Sequence, residues 1–164
     1  RGVRRSILLL VSSMSAGGRS VRLGPRIVRI LRGGGWEVAV RLTTPGDDPA
    51  ALAAQVASDS IVAALGGDGY LGAVARGCHD SGALFVPFPG GRGNDLCRAL
   101  GIGTDPLARA RDVASLGFVS GAAGDEAVAG RARRATDALA SRVRPFDGMW
   151  VRSRDGVRLA LGVV

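Results

Sequence analysis

The sequence predicts an α/β protein, a three-layer α/β/α domain built on a mostly parallel sheet. Three observations carry that prediction. Short apolar runs, Ser6–Ser12, Ile61–Leu65 and Ala83–Pro87, each end at small or turn-forming residues. A run of that kind suits a strand buried on both faces, as parallel strands are. Segments with helical spacing lie between the runs, so strands and helices alternate, the pattern of a sheet covered by helices on both sides. The chain has 164 residues, 46% of them apolar, with 26 glycines, which is enough to bury one core in a compact glycine-rich domain.

Taken in order, Arg1–Arg5 is a basic lead-in and Ser6–Ser12 the first, central strand. Ser13–Gly18 is a small-residue loop that feeds a helix over 20–32, with Val21, Ile27, Val28 and Leu31 marking its buried face. Pro25 lies inside this segment and either delays the regular helix or kinks it; Gly33-Gly34-Gly35 stops it. Trp36–Leu42 alternates as a second strand. Thr43–Pro49 is a turn cluster, followed by a helix over 49–57. Ile61–Leu65 is the third strand; Gly66–Gly69 turns it into a helix over 70–79. Ala83–Pro87 is the fourth strand, Phe88–Asn94 a second glycine loop, and Asn94 and Asp95 stand at a helix start. Thr104 caps a further helix with Pro106 in its first turn. Gly117–Gly124 reads as a loop and Asp125–Arg142 as an Ala/Arg-rich helix. Val143–Asp147 and Met149–Val164 read as strands, with Arg154-Asp155-Gly156 as a hairpin turn.

Charge narrows the partners. The formal net charge is +8, and all 22 basic residues are arginine, so a cationic contact to phosphate must come from a guanidinium fork. The arginines are scattered, with small groups at Arg1–Arg5, Arg131–Arg134 and Arg152–Arg158. No dense basic run interleaved with aromatics argues for nucleic acid. An anionic lipid surface remains compatible. Cys78 and Cys97 form no C-x-x-C pair, so neither a zinc site nor a redox motif is indicated, and no metal ligands are assigned. His79 is the one histidine, which leaves a Ser-His-Asp triad without support. No apolar run reaches transmembrane length, and Ile7–Val11 is too short for a signal peptide.

The chemistry concentrates between Ser60 and Gly101. Two strand ends, Leu65 and Pro87, each run into glycines and an aspartate. Glycines after a strand let the backbone turn sharply and approach a bulky anion, and the helix that follows offers unpaired N–H groups to phosphate. In open α/β sheets, ligands sit at such carboxyl ends. Asp68 among these glycines would repel a bare anion. It makes sense if Mg²⁺, a ribose or a water network intervenes; alternatively it caps the helix beginning at Tyr70. Gly66-Gly67-Asp68-Gly69 is also a serviceable plain turn.

The pair Gly66-Gly67-Asp68-Gly69 and Pro89-Gly90-Gly91-Arg92-Gly93-Asn94-Asp95-Leu96-Cys97-Arg98-Ala99-Leu100-Gly101-Ile102 is more specific. It resembles the diacylglycerol kinase catalytic-domain family, which includes sphingosine kinases and bacterial lipid kinases and whose fold is related to that of NAD kinase. That family shows G-G-D-G-T and P-x-G-T-G-N-D-x-A-R-x-L-G-I, and the likeness runs over residues 6 to 116. The resemblance implies ATP and Mg²⁺ as cofactors, Asp68 as the required carboxylate, and phosphate contacts from the loops. On the family's N-P-x-S-G-x-G stretch fall Ser12, Ser13, Met14, Ser15, Ala16, Gly17 and Gly18, with Ser15 and Gly18 in agreement and the Asn and Pro replaced. Thr44, or Thr43 beside it, matches a threonine that touches the nucleotide; either alternatively only ends the strand. Gly66, Gly67, Gly69, Tyr70, Gly72, Arg92, Gly93, Asn94 and Asp95 complete the implied nucleotide site. Tyr70 and Gly72 replace a small hydroxyl residue and an asparagine, and Arg92 replaces a threonine, where it either binds a phosphate or blocks the pocket.

The function expected from the resemblance is an ATP-dependent lipid kinase acting on a hydroxyl of a diacylglycerol- or sphingoid-like lipid. The alternatives are a degenerate, non-catalytic nucleotide- or lipid-binding regulator, and an NAD kinase-like enzyme, because that family shares G-G-D-G. The expected partners are a nucleotide and a lipid substrate at the membrane surface, with room for a homo-oligomer and no nucleic acid. The expected location is the cytoplasm and the membrane surface. Residues 1–142 are expected to form the nucleotide-binding domain and 143–164 to begin a β-rich domain that supplies the catalytic base. The chain does not open on methionine and ends in Leu159-Ala160-Leu161-Gly162-Val163-Val164, so it is expected to be part of a longer protein.

Overall fold

The computed structural model describes residues 5–116, 149–153 and 156–160. Four strands, β1 (Arg5–Ser12), β2 (Trp36–Thr43), β3 (Ile61–Gly66) and β4 (Leu84–Pro89), form one sheet in the order β2-β1-β3-β4. Every pairing is parallel. The connections carry α1 (Arg19–Gly33), α2 (Pro49–Ala54) and α3 (Asp68–Ser81), and α4 (Asp95–Ala99) and α5 (Pro106–Ser115) follow β4. This is the expected three-layer arrangement, with β1 central.

The period-two alternation of the strands sorts the core into two layers. Ile7, Leu9 and Val11 of β1, Ala63 and Leu65 of β3 and Phe88 of β4 pack with Ile27 and Leu31 of α1 and Ala110 and Val113 of α5. Leu10, Val62 and Ala64 face the other way, against Ala53 of α2, Leu71, Val74 and Cys78 of α3, and Leu96 and Cys97 of α4. Each fully buried Leu, Ile or Phe in such a layer contributes about 1.5–3 kcal/mol. Burial on both faces explains why β3 reads as a continuous apolar run.

Several boundaries differ from the sequence expectation. Helix α1 begins at Arg19 and includes Pro25, so the proline does not delay it. Val21 is 40% exposed rather than on the buried face, which Ser20, Gly24, Ile27 and Leu31 form instead. Helix α3 begins at Asp68, because Gly67 takes the extended capping conformation. Helix α5 is capped by Asp105, not Thr104: Pro106 occupies the first helical position, and the Asp105 carboxylate accepts the Leu107 N–H at 2.9 Å. Helix α2 ends at Ala54 and β4 extends to Pro89.

The remaining strands, β5 (Met149–Ser153) and β6 (Gly156–Ala160), form a separate antiparallel pair closing at Ser153 opposite Gly156. This matches the expected hairpin. The basic lead-in before Arg5, the loop 117–124, the helix 125–142, the strand 143–147, the domain boundary at 142 and residues 161–164 lie outside the described residues. Among the described residues no helix is long and apolar enough to cross a membrane.

Candidate functional site

From β1 the chain crosses to β2 on one side and later returns to β3 on the other. The strand order therefore reverses at the carboxyl ends of β1 and β3, where a doubly wound sheet opens a crevice. A crevice of about 370 Å³ lies there. Ser12, Met14 and Ser15 line it from the end of β1, Thr43 to Pro45, Asp47 and Pro49 from the end of β2, and Gly67 to Tyr70 from the start of α3.

The loops behind this crevice are joined to one another. Ser15 Oγ accepts the Gly67 N–H at 3.1 Å, joining the β1 loop to the β3 loop. The Gly90 N–H donates to the Gly66 carbonyl at 2.8 Å, extending the β3–β4 ladder past its last pair. Beyond it the backbones nearly touch: a Cβ on Gly91 would stand 2.6 Å from Gly67 Cα, so only glycine fits. Arg19 reaches from α1 to the Gly91 carbonyl at 3.4 Å. Asn94 closes the second loop on itself, its Oδ1 accepting from Gly91 N–H at 3.0 Å and its Nδ2 donating to the Gly91 carbonyl at 3.2 Å.

Asp68 makes the link that sequence reasoning assigned differently. Its Oδ1 accepts the Leu96 N–H at 2.9 Å, so it satisfies the first turn of α4, a helix in the other motif, rather than capping its own. Asn94 occupies the N-cap position of α4 but makes no side-chain cap bond; its amide is committed to the loop. Ala16 (φ 46°) and Asn94 (φ 57°) are the two non-glycine residues with positive φ among those described. Left-handed backbone disfavours a side chain by roughly 1–2 kcal/mol, and both instances fall in these loops, where such strain concentrates in functional sites.

The β2 side is built from side chains. Thr43 is 4% exposed, and its Oγ1 lies 3.2 Å from the Val11 carbonyl and 3.0 Å from the Tyr70 hydroxyl. A carbonyl only accepts, so the single Thr43 proton goes to Val11 and the Tyr70 phenol donates to Thr43. Burial pushes the Tyr70 pKa up, and the phenol stays neutral. Asp47 accepts from both the Thr44 N–H and Oγ1 at 2.8 Å and pairs with Arg41 at 3.1 Å. The Thr44 bonds, backbone first, and then Arg41 hold its carboxyl below the usual range.

Of the sequence-assigned residues, Ser12, Ser15, Thr44, Gly67, Asp68, Gly69 and Tyr70 line the crevice. Gly66, Gly93, Asn94 and Asp95 stand behind or beside it, and the Ser13 hydroxyl is buried without a partner. Ala16 supplies backbone curvature. Gly72 faces open space, with nothing within 4 Å of an added Cβ. Arg92 is exposed and outside the crevice lining, so it does not block the pocket. Sequence reasoning placed Met14 in the first loop without a role and missed Asp47, Pro45 and Pro49; the aspartate three residues after Thr44 was visible as a turn signal but not as the acceptor that fixes that threonine. Cys97 sits behind Asp68, and burial first, then that carboxylate, pushes its thiol up to about 11. It is therefore a neutral core side chain rather than a nucleophile or ligand.

A family model described as the diacylglycerol kinase catalytic domain matches residues 6–124. That span takes in both glycine blocks and every residue lining the crevice. No curated protein matches the chain.

Proposed function

The chain belongs to the diacylglycerol kinase catalytic domain family, and from that premise we propose that it forms the nucleotide-binding part of an ATP-dependent lipid kinase. The γ-phosphate of ATP would pass to a hydroxyl of a diacylglycerol- or sphingoid-like lipid. The observation that carries this reading is the position of Asp68. Its Oδ1 is fixed on α4, while its Oδ2 and that of Asp95 lie 3.3 and 3.4 Å from the Cβ position that Gly93 leaves open. Two carboxylate oxygens beside a glycine cradle suit a hard cation such as Mg²⁺, which takes one or two carboxylates together with phosphate oxygens. When bound, that cation neutralises charge between phosphate groups.

The chain's own residues do the rest by positioning. The first-turn N–H groups of α3 have no intrahelical partner and, with the positive end of the helix dipole, attract phosphate. Ser15, Arg19 and Asn94 hold the loops that present them. One observation favours the second reading, a regulator that binds nucleotide or lipid without turnover. The Tyr70 phenol proton is committed to Thr43, so the side chain here offers an ionised phosphate no donor, unlike the small hydroxyl of the family pattern.

Titration calorimetry with Mg-ATP on three proteins tests the proposal. Asp68→Asn retains an acceptor for the Leu96 N–H and removes the charge; Asp68→Ala removes both. Mg-ATP binding is expected to weaken at least about tenfold in both variants. Only the alanine variant should also lose about 1 kcal/mol of stability from the uncapped helix. Undiminished binding by Asp68→Asn would refute the magnesium-nucleotide role. Phosphate transfer from labelled ATP to diacylglycerol in mixed micelles then separates the kinase from the regulator.

A further inference from the structure

The two outer strands of the four-stranded sheet are protected very differently. At one side β4 reads Leu84-Phe85-Val86-Pro87-Phe88-Pro89. Two prolines remove N–H donors there, a common way of blunting a sheet edge. At the other side β2 pairs only with β1 among the described residues. It is eight residues long, and its register with β1 is unbroken from Arg5–Trp36 to Ser12–Thr43. It has no proline and no bulge, Val40 and Leu42 are 50% and 49% exposed, and the Arg32 guanidinium of α1 donates to the Val38 carbonyl at 3.0 Å, a bond that a pairing strand would replace. A long, flat, apolar edge is a template for another strand.

The sequence of this edge specifies which strand. Trp36-Glu37-Val38-Ala39-Val40-Arg41-Leu42 is self-complementary about Ala39. Laid antiparallel on a copy of itself with Ala39 opposite Ala39, it sets Glu37 opposite Arg41, Val38 opposite Val40 and Trp36 opposite Leu42. Each pair occurs twice under a two-fold axis, as a closed isologous interface requires. Opposite charges and apolar pairs facing each other across strands are favourable. Centring the pairing on Val38 or Val40 instead leaves both charges unmatched, so the register is fixed by charge as well as by face.

We propose that β2 is an interface between two copies of this chain, joining two four-stranded sheets into one continuous sheet across a two-fold axis at Ala39. Val40 and Leu42 of each copy would then lose their exposure beside the already buried Val38 and Trp36 of the other on the α1 side, and Glu37 and Arg41 would pair on the opposite face. The Arg41 contact to Asp47 is no obstacle. That pair is exposed, with Arg41 at 52%, and a guanidinium has donors for two carboxylates.

Sedimentation equilibrium on the whole chain decides the matter through a charge exchange. The wild type should be a dimer. Glu37→Arg alone sets two arginines against each other at both ends, and Arg41→Glu alone does the same with two glutamates. Each should weaken dimerisation by about tenfold or more, and Glu37→Arg with Arg41→Glu in one chain should restore it. Both side chains are exposed, so circular dichroism should not change, and the melting temperature should move little even where Arg41→Glu loses the exposed pair with Asp47. A monomeric wild type, whether because the edge is free or because another part of the chain covers it, would overturn the proposal. So would a dimer indifferent to either single reversal, since it would form through another surface.

Discussion

The wall of the crevice at the end of β3 is made of backbone, with the β4 loop behind it; the wall at β2 is made of side chains. On the first, Gly66, Gly67, Gly90 and Gly91 bring two loops into contact, and the polar groups on offer are the first-turn N–H donors of α3. On the second, Thr43, Asp47 and Tyr70 form a chain of side-chain bonds, and what remains toward the crevice is mostly acceptor. One wall suits an anion. The other suits a ligand's hydroxyl or amino group. The difference teaches how such a site divides its labour: the backbone wall receives charge and leaves little scope for selectivity, while the side-chain wall can change its chemistry without moving the main chain.

Two substitutions and one titration bear on this division. Gly91→Ala should do most, because the new methyl meets the Gly67 backbone at 2.6 Å and neither loop can yield alone. A loss of about 1–3 kcal/mol is expected, read as a lower melting temperature, with Mg-ATP affinity falling alongside. A variant that melts and binds like the wild type would mean that the loops are not in contact. Tyr70→Phe should do less. Removing a donor from Thr43 costs about 0.5–1.5 kcal/mol, and phosphate affinity should hold, since the α3 N–H groups are untouched. If inorganic triphosphate binding drops as well, the walls are not independent.

The smallest effect is a titration. Asp47 has its carboxyl held below 3.8, so what it adds to the fold is fully present above the ordinary carboxylate value. It is lost only as pH falls through the lower folded value. The Thr44 amide resonance should therefore stay constant down to that ordinary value and shift only below it. A midpoint at or above 3.8 would show that Asp47 does not hold Thr44.

The same contrast explains what could be read beforehand. The backbone wall was legible because glycine runs after apolar strands have few other uses, and because the two blocks together resemble one family. Strand β1 at the centre and the helices on both faces followed from apolar runs too short for helices. The side-chain wall was hidden. Nothing local tells Asp68 to reach Leu96 in the other motif, or Tyr70 to reach back to Thr43 at the end of another strand. The first exists only once β3 and β4 lie side by side, the second only once β2, β1 and β3 do. Asp47 shows the same limit at shorter range: it was visible as a turn residue, but its effect on Thr44 needed the folded turn.

The joined loops also set where this crevice has freedom to vary. Ser15, Gly67, Gly91 and Asp68 each touch another loop, so altering any one disturbs two. Gly69 and Gly72 have nothing within 4 Å of an added Cβ, and Arg92 projects into solvent. New side chains at these three positions would extend the rim without breaking a contact. A lineage or a designer seeking a different ligand would find the inexpensive steps there, on a frame that otherwise tolerates change only in concert.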